Sequence, residues 1–250
     1  ATDGIEQKDD WSFRRSKWFK AVEKECNNVK DNVGLLDMSA FAKCRIKGPR
    51  AEEFLDNLVA NKLPKKIGRI NLCHALNTKG GVHSEFTIMR EAEESFYLVS
   101  AGAFQRLDHD WIHKWMPKDG SVQFENLTNS IGVLVVAGPK ARDLMKKVSK
   151  DDFSNENFKW LSSKQIDVGN APCDAMRVNF VGELGWELHH PMNQMESLYD
   201  SIYEAGKKEN IINFGTYAVN SLRMEKAYRG WGAELTGEIS LVEAGMDRFF

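Results

Sequence analysis

The sequence predicts an α+β protein, and three observations carry that expectation. Strand-like and helix-like runs are interspersed without a regular βαβ rhythm. A strand, Gly-Pro, helix unit occurs twice, as KCRIKGPRAEEFLDNL at residues 43–58 and VLVVAGPKARDLMKKV at 133–148. The composition, 42% hydrophobic and 28% charged over 250 residues, is that of a globular chain able to bury roughly 70% of its unfolded surface.

Residues 1–30 are rich in Trp, Phe and Lys and poor in periodicity. They read as an N-terminal segment whose aromatics Trp11, Phe13 and Trp18 lie on a core surface. Residues 31–250 read as one domain with subdomains at about 31–130 and 131–250. In the repeated unit, Gly48 and Gly138 permit the turn, and Pro49 and Pro139 suit a first helical position, where no amide donor is needed. Apolar residues then recur at helical spacing, in Phe54, Leu55 and Leu58 and in Leu144, Met145 and Val148. A strand–turn–helix unit used twice implies two related halves. Strands are expected at 71–76 and 82–89 around the turn NTKGG, and at 96–100. EAEE at 91–94 reads as a solvated hairpin turn. A helix follows at 105–116. Strands at 175–180 and 186–189 are joined by VGELG. An amphipathic helix at 194–205 carries Leu198, Tyr199, Ile202 and Tyr203, and another spans 216–228.

Several function classes are disfavoured. Lys plus Arg is 34 and Asp plus Glu is 36, so the net charge of −2 argues against a protein built around duplex nucleic acid. The longest apolar run is about seven residues, far short of the ~20 of a membrane helix. The polar start has no signal-peptide core. The four cysteines (Cys26, Cys44, Cys73, Cys173) form no C-x-x-C pair and fit reduced thiols in a cytosol-like compartment, with an organelle matrix second, since a removed transit peptide leaves no trace. There is no G-x-x-x-x-G-K-[ST], G-x-G-x-x-G, G-x-S-x-G or H-E-x-x-H. His109 and His113 lie four apart on an expected helix, but two ligands do not make a metal site, and Asp108 and Asp110 beside them read as a solvated face. His189 and His190 are adjacent on a strand and point to opposite faces.

Three segments look constrained beyond folding needs. In NTKGGVHSEFTI, paired glycines lead into a strand on which His83 and Glu85 face one side, and Val82, Ser84 and Phe86 the other. Glu85 is there a candidate acid/base or electrostatic group. An ordinary solvent-facing Glu fits the same pattern. In NFVGELGWELHH, two acids, Glu183 and Glu187, stand beside Trp186. Carboxylates that accept paired N–H donors next to an indole wall suit a flat polar ring; a tight hairpin with a packed Trp is the alternative. In FGTYAVNSLRMEKAYRGWG, Arg223 lies on a small, apolar stripe with Val219 and Ala227 and needs a partner: Glu187, Glu183 or a ligand carboxylate.

Together GGVHSEFTI, FVGELGWEL and FGTYAVNSLRMEKAYRGWG resemble the folate-binding aminomethyltransferase family, whose type member is the glycine-cleavage T-protein. VGLLDMSAFAK, VLVVAGPKARDLM, WELHHPM and LVEAGMDRFF resemble, within it, the folate domain of dimethylglycine and sarcosine dehydrogenases. The resemblance covers about residues 11–250. It implies two pseudo-repeated, ferredoxin-like α/β subdomains of the aminomethyltransferase folate-binding fold. It also implies tetrahydrofolate binding and transfer of a one-carbon unit from an N-methyl or aminomethyl donor, giving 5,10-methylenetetrahydrofolate. The family's catalytic acid falls on Glu85, where the T-protein carries an Asp. Its pteridine-recognising acid falls on Glu187 with Glu183 close by, and the Arg of its S-L-R motif on Arg223. Tyr217, Trp231 and Ser100 complete the implied folate set, and no metal is implied.

No flavin fingerprint is present, so FAD enters only with an upstream domain outside these residues. The family's C-terminal barrel is also lacking, so the expectation is a fragment of a larger enzyme. The implied partners are folate, a small methylated amine donor, a flavin dehydrogenase domain or subunit, and a barrel domain; no nucleic acid or membrane is among them. An apolar rim around Trp231, Phe249 and Phe250 leads to an expectation of self-association or retention of those partners. A glycine-cleavage aminomethyltransferase, another folate-dependent methyltransferase and a non-catalytic folate-binding scaffold are the alternatives.

Overall fold

The computed structural model describes Lys8 and residues 12–247; Trp11, Phe249 and Phe250 lie outside the described residues. The chain runs α1 (Phe19–Asp31), β1 (Gly34–Asp37), β2 (Ala42–Lys47), α2 (Ala51–Leu58), β3 (Ile70–Leu76), β4 (Val82–Ala92), β5 (Ser95–Ser100), α3 (Gln105–Trp115), β6 (Gln123–Asn126), β7 (Ile131–Ala137), α4 (Ala141–Val148), β8 (Ser163–Val168), β9 (Ala171–Met176), β10 (Gly185–Pro191), α5 (Met195–Gly206), β11 (Ile212–Asn213) and α6 (Thr216–Glu225). Among the described residues no helix is long and apolar enough to cross a membrane. Two compact units result. One takes the described residues of Ala1–Met38, Val133–Phe158 and Gln165–Tyr228, the other those of Ser39–Gly132, Lys159–Lys164 and Arg229–Phe250.

The second unit holds a sheet of order β3-β4-β5-β2-β6. β5 lies between β4 and β2 and runs antiparallel to both, and β6 is antiparallel to β2. Strand, helix, hairpin, helix, strand (β2, α2, β4–β5, α3, β6) is the ferredoxin-like order, extended by β3. Phe54, Leu55 and Leu58 of α2 and Ile112 of α3 meet Cys44, Ile46, Phe86, Ile88, Phe96 and Leu98 in one core, so both helices cover the same face.

The first unit repeats the plan with one addition. β7, α4, β9–β10, α5 and β11 follow in the same order, but β1 is interposed, antiparallel to β7 and parallel to β11. One face carries α4 and α5 on Leu134, Val136, Trp186 and Leu188. The other carries α1 and α6 on Val135 and Ala137.

The repeated unit is thus a β-turn-α joint in both sheets. Gly48 and Gly138 have φ of +126° and +136°, and a Cβ on them would meet backbone carbonyls of Ser121 and Asn32 at 2.4 and 2.5 Å. The prolines sit differently from expectation. The helices begin at Ala51 and Ala141, and each Pro lies in the preceding turn, closed by the Ala51 and Ala141 N–H donating to the Gly48 and Gly138 carbonyls. Pro suits that turn because its φ is already set.

Other expectations are corrected. Phe13 is fully exposed, while Trp18 packs on the core that contains Val22 and Val29. Residues 19–31 are helical: Trp18, Val22, Cys26 and Val29 form a stripe that the intervening charges obscured. The strand expected at 175–180 lies at Ala171–Met176. Alternation continues past Met176 in the sequence, but Asn179 Oδ1 takes the N–H groups of Val181 and Gly182, and the chain turns. Glu91 is not in a solvated turn. β4 runs on through it, and Arg45 Nε and Nη2 donate to both its oxygens at 2.6 and 2.7 Å, which holds the Glu91 carboxyl below the usual range against its burial. The last helix is shorter than 216–228. It ends at Glu225, with Ala227 in the left-handed region at φ +56°.

Candidate functional site

The sequence-predicted residues are divided between the two units. Glu85, Ser100 and Trp231 lie in one, Glu187, Glu183, Arg223 and Tyr217 in the other.

The hairpin of β3 and β4 positions Glu85. Its turn is closed by Asn77, whose Oδ1 accepts the N–H of Lys79 and of Gly81 at 2.9 and 3.1 Å and whose Nδ2 donates to the Gly237 carbonyl at 2.8 Å. The two glycines serve different needs. Gly80 adopts φ +84° with open space around it, whereas a Cβ on Gly81 would sit 2.0 Å from the Gly237 oxygen. One residue further on the register shifts: Leu76 pairs with Val82 but Ala75 pairs with Ser84, so His83 is an extra residue on β4. This bulge breaks the expected alternation. Val82 joins Leu235 and Leu241, Phe86 joins Cys73 and Ala75, and His83 stacks on Trp111 of α3 at 3.9 Å, where burial and the Lys114 charge lower its pKa.

Beyond the bulge, Glu85 stands directly opposite His74, and His74 Nε2 lies 3.0 Å from Glu85 Oε2. Among the described residues this is the polar contact of the Glu85 side chain. Thr87 pairs with Val99, so Glu85 is in register with residue 101, past the end of β5, and its side chain is one-fifth exposed.

Ser100 lies on the helix-covered face, its hydroxyl against Asp108 of α3; Ser84 Oγ donates to Asp108 Oδ1 at 2.7 Å. Asp108, expected on a solvated face, is buried at 1% exposure. Burial pushes its carboxyl up, and the hydroxyls of Ser100 and Ser84 offset this only in part. Trp231 packs beside Leu72, Leu76 and Val82 with its ring 5.2 Å from Phe104, and its indole nitrogen is buried without a partner.

In the other unit, β10 alternates cleanly. Trp186 and Leu188 point into the core, and Trp186 meets Phe153 and Phe158 edge-on at 5.2 and 5.9 Å. The indole therefore forms no wall beside the acids. Glu187 points to the other face and is 6% exposed. Its carboxylate has one polar neighbour among the described residues, His189 Nε2 at 3.4 Å, which is long for a hydrogen bond. Glu183 lies in the β9–β10 loop, 3.0 Å from Lys226 Nζ. Arg223 is buried. Its Nε and Nη2 donate to Asn220 Oδ1 at 2.9 and 2.7 Å and its Nη1 donates to the Tyr228 carbonyl at 2.9 Å, while its guanidinium carbon lies 6.0 Å from the Phe180 ring. Tyr217 is half exposed and stacks on Trp18 at 4.5 Å.

The residues that sequence reasoning missed are His74, Lys226 and the Phe180–Tyr228 stack around Arg223. Counting back from the turn pairs His74 with Ser84, and only the bulge moves it opposite Glu85. The cysteines supply no reactive thiolate. All four are free, burial pushes Cys73 and Cys173 up to about 12, and Cys26 and Cys44 are also raised.

The family model of the GCVT N-terminal domain matches residues 5–250. The human mitochondrial dimethylglycine dehydrogenase is 42% identical over 239 residues, which cover 95% of this chain and 28% of that protein. An aminomethyltransferase of Thermoanaerobacter sp. (strain X514) is 30% identical over 236 residues, 92% of this chain and 62% of that one. Among solved structures, the glycine cleavage system aminomethyltransferase T of Bartonella henselae superposes with a TM-score of 0.77 at 24% identity, covering 91% of this chain and 60% of that one; this likeness shows the fold. The chain spans little more than a quarter of the human relative's length. A match over nearly its whole length places the chain in the GCVT N-terminal domain family.

Proposed function

We propose that the chain is a tetrahydrofolate-binding one-carbon-transfer module of the dimethylglycine or sarcosine dehydrogenase kind. The observation that carries this reading is Glu187. A carboxylate buried to 6% exposure, with one neighbour at 3.4 Å, keeps acceptor capacity for a pair of ligand N–H groups. A flat aminopyrimidinone edge presents such a pair, and a buried carboxylate without a strong partner is otherwise costly. The residues present therefore fit a reduced pterin.

When bound, tetrahydrofolate supplies the nucleophilic nitrogens that accept the carbon. Glu187 orients the ring by accepting its N–H donors. Glu183, held by Lys226, lines the approach, and Arg223, bonded to Asn220 and the Tyr228 carbonyl, holds the segment after α6, where Tyr228 stacks on Phe180 of the β9–β10 loop. Tyr217 and Trp231 offer aromatic surface. Ser100, buried against Asp108, supports the end of β5 beside Glu85. Glu85 takes or steers the proton of the attacking nitrogen.

The reaction proposed yields 5,10-methylenetetrahydrofolate from a small methylated amine, with an FAD-bearing dehydrogenase domain or subunit and a barrel domain as partners. The location proposed is mitochondrial, as the human relative's name states for that protein. The aminomethyltransferase relative favours a second reading, in which the carbon arrives on an aminomethyl donor. Calorimetry with tetrahydrofolate tests both: well-folded chain that binds none up to millimolar ligand overturns them. Methylene transfer from dimethylglycine or sarcosine, against transfer from an aminomethyl donor, separates them.

A further inference from the structure

We infer that His74 positions Glu85, as the middle member of an Asn61–His74–Glu85 relay. The inference rests on the proposed role of Glu85. His74 is fully buried, and its ring nitrogens face two oxygens: Nε2 lies 3.0 Å from Glu85 Oε2 and Nδ1 lies 3.3 Å from Asn61 Oδ1. The Asn61 amide is itself fixed, because Oδ1 accepts the His74 backbone N–H at 2.5 Å. Of the two facing oxygens the Glu85 carboxylate is the nearer and the stronger acceptor, so the Nε2–H is assigned to it, and Asn61 acts on His74 through the backbone N–H bond. Asn61 is buried too, so the anchor of the relay is shielded from water.

Stability does not account for this arrangement. A buried polar pair is often matched or bettered by apolar residues of similar volume. Glu85, by contrast, needs a constraint. The position level with it across the sheet, residue 101, lies past the end of β5, and its side chain has three rotatable bonds and one polar contact. The ladder between β3 and β4 holds the two Cα atoms opposite each other, so the imidazole selects one carboxylate orientation. One oxygen is engaged by His74, and the other is left for a ligand. A catalytic group held in this way need not be ordered when the ligand arrives.

The test compares His74→Leu, which fills the space without a donor, His74→Gln, which restores a donor, Asn61→Ala, Glu85→Gln, and the His74→Leu/Glu85→Gln double variant, all in the full-length polypeptide. The expected result is a methylene-transfer rate lowered about 10-fold or more in His74→Leu, with tetrahydrofolate affinity within about twofold of wild type. His74→Gln recovers part of that loss, Asn61→Ala loses less than His74→Leu, and the double variant is no slower than Glu85→Gln alone. Crystal structures give a readout independent of folate: one Glu85 rotamer in wild type and more than one in His74→Leu. An unchanged single rotamer in His74→Leu, or losses that multiply in the double variant, overturns the inference. If His74→Leu does not fold, His74→Gln and Asn61→Ala carry the same comparison. Absence of tetrahydrofolate binding in wild type overturns the function proposed above and leaves the rotamer result standing by itself.

Discussion

Replacing Glu187 by Gln should separate binding from folding. In the structure the carboxylate is 6% exposed and its neighbour, His189 Nε2, is 3.4 Å away. The amide removes a buried charge without changing its volume, so the thermal midpoint is expected to stay level or rise. Ligand binding should suffer. Charge-assisted bonds contribute about 1.5–3 kcal/mol each, and losing a carboxylate that accepts two ring N–H groups should cost about 2–4 kcal/mol after geometric losses. That is about a 30- to 1000-fold rise in the tetrahydrofolate Kd. Glu183→Ala is the control. Its carboxylate is already engaged by Lys226 at a partly exposed site, so its loss should cost at most about 1 kcal/mol. The assay is anaerobic calorimetry beside a thermal scan of each variant. If Glu183→Ala proved the more damaging, or if Glu187→Gln lowered the midpoint by many degrees, the assignment of the recognition acid would be refuted.

Other outcomes follow from the backbone and the core. Ala227 closes α6 in the left-handed region, with the Ala227 and Tyr228 N–H groups donating to the Met224 and Arg223 carbonyls, so Ala227→Gly should stabilise by about 1 kcal/mol. A scan should show the midpoint about 2–4 °C higher, and a decrease would mean that the Ala methyl is held by packing. Gly81→Ala should cost about 1–3 kcal/mol, since its Cβ meets the Gly237 oxygen, whereas Gly80→Ala should cost about 1–2 kcal/mol for its left-handed φ alone; no loss for Gly81→Ala in denaturant melts would exclude the close-approach argument. Asp108 is raised by burial, so the folded chain holds its proton more tightly than the unfolded chain does. Its contribution is complete below the ordinary carboxyl value and is lost as pH rises through the folded value. The midpoint of Asp108→Asn relative to wild type should therefore climb between pH 4 and pH 7, and a pH-independent difference would contradict the buried-acid reading.

The α+β class and the doubled strand, Gly-Pro, helix unit were legible in the sequence because their causes are local. A left-handed glycine, a turn proline and apolar residues at helical spacing act within about ten residues of one another, and both copies fold alike. The glycine pair before Glu85 was legible for the same reason. Alternation along a strand also dictates that Glu187 and Trp186 face opposite ways, although the sequence reading set the indole beside the acids. Other features depend on segments far apart in the chain. α1 was obscured because its stripe of Trp18, Val22, Cys26 and Val29 acquires meaning only against the core it covers. Asp108 read as a surface acid until α3 laid it on Ser84 and Ser100. Trp186 read as a ligand wall until Phe153 and Phe158 enclosed it. The His74–Glu85 pair is the sharpest case. Period-two counting from the turn pairs His74 with Ser84, and one extra residue at His83 moves every later partner by one. That bulge forms where Val82 is drawn into the apolar cluster of Leu235 and Leu241 while His83 stacks on Trp111. Those contacts reach 28 and more than 150 residues further along the chain, so no local pattern could reveal them, and the tertiary structure alone decided which side chain faces Glu85.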